Sequence, residues 1–216
     1  MKGKKSLQEK KSKGSLFIVS APSGAGKTTL CRMLVSSLAN LKFSVSYTTR
    51  SARPDEMNDR DYTFVSREDF LRMTKAGEFI EWAEVHGELY GTSEKRVRKL
   101  LDAGSDVVLD IDTQGAMEIK KRYDKGVYIF ILPPSVEALR KRLEKRMTDS
   151  GEEITRRLKR AVIEIKTFRQ YDYVIINDIL ENALREFEAI IISHRVSTEL
   201  IDPLWIEKTF LKQEEN

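Results

Sequence analysis

Cysteine, histidine and proline are scarce in this chain of 216 residues, which holds one cysteine, two histidines and five prolines. Cys31 cannot close an internal disulfide, which excludes a disulfide-stapled miniprotein and suits a reducing compartment. Eleven glycines without a triplet period exclude a collagen, and no internal repeat supports a coiled coil. No apolar run approaches the ~18 residues of a membrane span, and no apolar stretch follows the first lysines as a secretory signal requires. The expectation is therefore a cytoplasmic protein with no membrane partner. His86 and His194 stand at no partner spacing and read as surface or packing residues.

What is present is a core and a surface. Hydrophobic residues make up 40% and charged residues 33% of 24.9 kDa, enough for one large domain or a core with one insertion. A formal charge of +4 and a pI near 9.0 suggest a polyanion at first sight. The first thirteen residues, however, hold six lysines and one glutamate, so they carry +5 and the remaining 203 residues sum to −1. Residues 1–13 read as a basic flexible tail, and no specific nucleic-acid partner is expected.

The body alternates apolar runs with amphipathic segments. Leu16-Phe17-Ile18-Val19 is short, apolar and β-prone, as a strand buried on both faces is, and further apolar runs recur at Val107-Val108-Leu109, Val127 to Leu132 and Tyr173 to Ile176. Thr28 to Ala39, Ser93 to Leu101, Thr113 to Arg122, Ser135 to Arg146, Glu153 to Phe168 and Asp178 to Ile192 read as helices, the last opening on an Asp178-x-x-Glu181 box. The expected class is α/β, a parallel sheet flanked by helices. Residues 43–92 break the rhythm with short candidate strands at Val45-Ser46-Tyr47, Phe64-Val65 and Phe79 to Ala83, and one helix near Glu68 to Lys75. They read as an insertion into a core of residues 14–42 and 93–216. Met147 to Glu152 reads as a short irregular hinge or lid.

Between the first strand and first helix lies Ser20-Ala21-Pro22-Ser23-Gly24-Ala25-Gly26-Lys27-Thr28-Thr29, the context a phosphate-binding loop requires. Gly24 and Gly26 let successive N–H groups curl round a phosphate, Lys27 reaches the β and γ oxygens, and the Thr28 hydroxyl joins a magnesium shell. The helix N-terminus adds partial positive charge. Ala21 stands where such loops usually begin with glycine, which raises the question of whether that position needs a positive φ. A guanine-reading Asn-Lys-x-Asp is absent, which argues against a common GTPase.

The insertion offers receptors for a second anion. Arg50 and Arg53, three apart on a loop, suit a phosphate clamp with the Tyr62 and Tyr90 hydroxyls. A buried Glu81 accepts two hydrogen bonds at once and matches a base with adjacent donors, as guanine has and adenine lacks. Each residue alone also reads as an ordinary solvated side chain.

Together these motifs resemble the guanylate kinases from about Ser15 to about Ile192, through the loop, Ser46 to Arg53, Phe79-Ile80-Glu81-Trp82-Ala83, Tyr90-Gly91-Thr92, Leu109 to Gly115, Leu132-Pro133-Pro134-Ser135 and Ile176-Asn177-Asp178. The resemblance implies a P-loop NTPase core with a small mixed α/β GMP-binding insertion at 43–92 and a lid at about 146–156. It implies ATP-dependent phosphorylation of GMP to GDP in guanine nucleotide metabolism and salvage, with Mg2+ as cofactor and dGMP left open as a second acceptor. By the same likeness Ser46, Glu81, Thr92 and Asp112 contact guanine, and Arg50, Arg53, Tyr62 and Tyr90 hold the GMP phosphate. Residues Ala21, Pro22, Ser23, Gly24, Ala25, Gly26, Lys27, Thr28 and Thr29 bind ATP, with Asn177 near the adenine. Lys27, Arg50, Arg142, Arg146 and Arg157 are the catalytic cations, while Thr28 and Asp110 serve the metal, Asp110 through water. Tyr47 and Met147 depart from the family pattern.

Glu137 to Arg160 holds nine basic and five acidic residues, a local +4 that suits phosphoryl transfer by charge neutralisation. The acceptor phosphate oxygen is already ionised, so no general base is assigned. Three other readings stand beside this one: a kinase for another monophosphate, a scaffold that keeps only the acceptor pocket, and nucleic-acid binding through the tail. Homo-oligomerisation through Pro203-Leu204-Trp205-Ile206 is left open.

Overall fold

The computed structural model describes residues 13–85, 87–123, 125–145 and 151–211. Strands β1 (Leu16–Ser20), β2 (Leu41–Phe43), β7 (Asp106–Asp110), β8 (Val127–Leu132) and β9 (Tyr173–Ile176) form one parallel sheet in the order β2-β7-β1-β8-β9. Flanked on both sides, β1 is buried along its whole length. Its side chains alternate between two cores. Phe17 and Val19 pack with helices α1 (Lys27–Ser37) and α7 (Leu180–Arg195) through Leu30, Leu34, Phe187 and Ile191. Leu16 and Ile18 face Val97 of α3 (Glu94–Asp102) and Ala116 and Ile119 of α4 (Thr113–Lys120).

A second sheet lies between β2 and α3 in the chain. Strands β3 (Tyr47–Thr48), β4 (Thr63–Phe64), β5 (Phe79–Val85) and β6 (Glu88–Ser93) take the order β4-β3-β6-β5, with β5 and β6 antiparallel. Helix α2 (Arg67–Lys75) is capped by Ser66, whose hydroxyl accepts the Asp69 N–H, and it packs Phe70 on Phe79 with ring centroids 4.5 Å apart. The remaining α-helices among the described residues are α5 (Val136–Glu144), α6 (Gly151–Ile165) and the short α8 (Pro203–Ile206).

Several expectations need correction. The Asp178-x-x-Glu181 box does not cap α7: the helix starts at Leu180 with Ile179 in extended backbone at its head and no side-chain cap. The cause lies one residue earlier, where Asn177 is drawn onto the phosphate loop and its N–H bonds to the Leu132 carbonyl, extending β9's exit. Gly151 and Glu152, expected in the irregular segment, are already helical in α6, and the helix gives way to a 3-10 turn at Lys166–Gln170. Strand β3 is Tyr47–Thr48 rather than Val45 to Tyr47, and β2 and β6 were not expected as strands. Residues 1–12, His86, and 146–150 with Arg146 and Met147 lie outside the described residues.

Candidate active site

The carboxyl ends of β1 and β7 open beside each other, where open α/β sheets bind ligands. From β1 the chain turns through the phosphate loop into α1. Gly24 and Gly26 take φ of 94° and 92°, which a side chain would strain. At Gly26 a Cβ would also meet the Asn177 amide at 2.4 Å. Ala21 has no positive φ, so an alanine is accommodated there, buried against the core.

Three groups fix the loop's first helical turn. Lys27 Nζ lies 2.7 Å from Asp110 Oδ1 and also donates to the Ile111 carbonyl, while Thr28 Oγ1 donates to Asp110 Oδ2 at 2.8 Å. Thus one carboxylate at the end of β7 orients both the lysine and the hydroxyl. The Ala25 carbonyl accepts from Asn177 Nδ2 at 2.7 Å and from Arg142 Nη1 at 3.3 Å, and Arg142 Nη2 donates to the Asn177 carbonyl at 2.8 Å. Arg142 and Asn177 therefore brace the loop backbone. Arg157 reaches the loop from α6, its Nη2 donating to Ser23 Oγ at 2.6 Å.

Glu81, on β5 and only 8% exposed, lines the same cavity as the loop. Its Oε1 accepts from Thr92 Oγ1 at 2.6 Å, across the β5–β6 pair. Burial pushes its carboxyl up to about 7, opposed by the Thr92 donor and reinforced by the charge of Asp112. Asp112 caps α4 by accepting the Gly115 N–H at 2.7 Å. That first turn presses close to Glu81, since a Cβ on Gly115 would lie 2.6 Å from Glu81 Oε2. A cavity of 370 Å³ joins the loop to Ser46, Tyr62, Glu81, Tyr90, Asp112 and Arg157.

A wider cleft of 770 Å³ adjoins it and shares Thr28, Ser46, Tyr62, Tyr90 and Asp110. Arg50 lies there with its Nη2 on both oxygens of Glu56 at 2.8 and 2.9 Å, its guanidinium 5.4 Å from the Tyr62 ring centre. Glu56 also accepts the Arg53 N–H at 2.9 Å, so one carboxylate joins the two arginines, although the Arg53 side chain itself is exposed. The Arg50 contact is the main force holding the Glu56 carboxyl below its usual range. Burial, aided by Asp110, pushes the Tyr62 phenol up to about 12, so it stays a donor. On the far wall Arg32 of α1 pairs with Asp61 at 2.7 Å, linking the core to the second sheet.

Sequence reasoning missed Glu56, Arg32, Arg160 and Glu164 and gave no role to Asp61 beside Tyr62, all of which line these cavities. The only available signal was Glu56 three residues after Arg53. His194 sets its ring edge-on to Phe17, and Cys31 is fully buried, where desolvation raises its thiol and keeps it unreactive.

A phosphate loop facing a cleft that carries its own arginines and a buried carboxylate defines a nucleotide phosphotransferase with two ligand ends. Known proteins narrow the class. The family model described as guanylate kinase matches residues 13–194, and the chain belongs to that family. The guanylate kinase of Geobacter sulfurreducens is 52% identical over 188 residues, covering 87% of this chain and 93% of that protein. That of Thermotoga maritima is 44% identical over 183 residues, covering 85% and 88%. A crystal structure of guanylate kinase from Anaplasma phagocytophilum matches with a TM-score of 0.77 at 36% identity, over 95% of this chain and 98% of that one.

Proposed function

We propose that this chain transfers the γ-phosphoryl group of ATP to GMP, giving ADP and GDP, in guanine nucleotide metabolism and salvage. The observation that carries the reading is that the loop lysine and a buried glutamate able to take two donors line one cavity. Guanine offers N1–H and N2–H₂ side by side, and an ionised Glu81 with Asp112 beside it accepts them. Adenine would set its N1 lone pair against the same carboxylate, at the cost of a desolvated, unpaired acceptor. Ser46 and Thr92 complete the base site. Arg50, Arg53, Tyr62 and Tyr90 take the GMP phosphate in the adjoining cleft.

The donor phosphates lie in the loop of Ala21 to Thr29. Lys27 and Arg157 neutralise charge on the transferring group, while Arg142 and Asn177 hold the loop's shape. A loose transition state leaves the protein to position and neutralise, and the acceptor oxygen needs no base. The donors at Thr28 and Asp110 fit a magnesium ion. With its two oxygens occupied by Thr28 and Lys27, Asp110 suits a metal-bound water better than direct ligation. Bound with ATP, the ion supplies neutralisation of the β and γ phosphates.

The test is ADP release with ATP and magnesium across AMP, CMP, UMP, dTMP and GMP. GMP should exceed every other base by at least about a hundredfold in kcat/KM, as expected when a desolvated polar pair is mismatched. Equal use of the five would refute the base assignment.

A further inference from the structure

Arg96 has no part in the phosphate or base sites, yet it stands behind the strands that carry two of their residues. It is the third residue of α3, where its N–H donates to the capping Ser93 hydroxyl. A cation in the first helical turn opposes the helix dipole, and a carboxylate is the side chain that position favours. Local helix stability therefore does not account for Arg96, and its side-chain contacts lie outside the helix. Its Nη1 donates to Thr63 Oγ1 at 2.6 Å, its Nη2 reaches Asp59 Oδ1 at 3.4 Å, and its guanidinium carbon is 4.4 Å from the centre of the Tyr47 ring. Tyr47 is also where this chain departs from the family pattern.

Tyr47 and Thr63 are partners in register across the parallel β3–β4 pair, so one guanidinium grips both strands at a single rung. Side chains alternate along a strand, and their chain neighbours face the other way. Arg50 marks that second face. Its guanidinium is 5.4 Å from the Tyr62 ring centre and 5.8 Å from that of Phe64, the two residues that flank Thr63. Strand β4 thus runs between two arginines, Arg50 in the cleft and Arg96 behind it. Ser46 and Tyr62, each one residue before the gripped pair, line both cavities, and the Ser46 carbonyl accepts the Thr63 N–H at 2.9 Å. Asp59, in left-handed backbone at φ 60°, accepts from Thr63 Oγ1 at 2.7 Å, and its N–H donates to the Tyr62 carbonyl at 2.8 Å. The turn leading into Tyr62 therefore belongs to the same network. Helix α3 is itself seated in the main core by Val97, next to Arg96.

We propose that Arg96 is a positioning residue for the acceptor: by holding Tyr47 and Thr63 from behind, it sets Ser46 and Tyr62 in place against the nucleotide, referenced to the main core through α3. The proposal rests on the reading of Ser46 and Tyr62 as acceptor residues. The experiment measures steady-state kinetics of Arg96→Met, Arg96→Lys, Tyr62→Phe and the Arg96→Met, Tyr62→Phe double variant, at a temperature where thermal melts show each to be folded. Arg96→Met keeps the apolar stem and should lower kcat/KM for GMP about tenfold, with the KM for ATP within about twofold. Arg96→Lys keeps the charge without the planar fork and should fall between. In the double variant a misplaced Tyr62 has less to lose with its hydroxyl, so the two losses should combine to less than their product. A merely structural Arg96 would lower Tm and leave the losses multiplicative. Unchanged GMP kinetics in Arg96→Met, an equal rise in both KM values, or multiplicative losses would overturn the proposal. If Arg96→Met does not fold, Arg96→Lys with and without Tyr62→Phe makes the same comparison. Failure of the acceptor reading is separately visible: Tyr62→Phe alone would then leave the KM for GMP unchanged, and the proposal would fall with it.

Discussion

On the proposed reading, Glu81 is tuned for a ligand at the expense of the empty fold. Its folded pKa of about 7 stands above the ordinary 4.5 because burial disfavours the charge and Asp112 repels it. Between those values the unfolded chain ionises first, so the residue's contribution to stability declines as pH rises from about 4.5 to 7. Glu81→Gln removes the titration. Its stability, read from Tm, should therefore rise relative to wild type from pH 5 to pH 8, toward a ceiling of about 3 kcal/mol in free energy for a shift of this size. Activity should move the other way, since guanine's donors favour the ionised carboxylate. Wild-type kcat/KM for GMP should climb between pH 6 and pH 8 more steeply than in Glu81→Gln, where only ionisation of the GMP phosphate remains. Thermal melts and pH–rate profiles of both proteins check the two halves, and parallel pH dependences would contradict the assignment.

Among elements, what could be read from the chain depended on whether the cause was local. Val127–Leu132 and Tyr173–Ile176 coincide with the expected strands because both are uninterrupted apolar, β-prone runs, although β9 lies at the sheet's edge and buries only Ile175. Leu41–Phe43 has three residues with a lysine in the middle, and Glu88–Ser93 mixes charge, glycine and hydroxyls, so their pairing with β7 and β5 left little local signal. The phosphate loop was legible as one contiguous word. Its brace was not, because Asn177 and Ala25 are 152 residues apart, and the same contact spoiled the Asp178 capping box. The brace predicts its own phenotype. Asn177 is 5% exposed, and Asn177→Ala would remove one of two donors to the Ala25 carbonyl and open space beside Gly26. The expected loss is about 1–3 kcal/mol in denaturant unfolding. The KM for ATP should rise several-fold with the KM for GMP little changed; a variant that moves both equally would mean Asn177 acts on the whole cleft.

For the whole molecule, the placement of charge matters more than its sum. The cations at Lys27, Arg142 and Arg157 approach the phosphate loop and Arg50 stands in the adjoining cleft, and each already has a partner in the protein, from Asp110, Asn177, Ser23 and Glu56. We expect two ligands bringing phosphates to these groups to draw the two sheets together, because the cavities share Thr28, Ser46, Tyr62, Tyr90 and Asp110 along a single boundary. The Arg32–Asp61 pair already spans that boundary, from α1 to the segment before β4. ATP alone fills one side and leaves water on the other, where it could attack the γ-phosphate. Productive geometry should therefore require both, with ATP hydrolysis in the absence of GMP below about one hundredth of the transfer rate. Small-angle scattering should show the radius of gyration contracting further with a GMP and non-hydrolysable ATP analogue pair than with either alone. If ATP were hydrolysed at a comparable rate without GMP, or if one nucleotide produced the full contraction, the two-sided requirement would fail and the second sheet would be a fixed wall rather than a moving one.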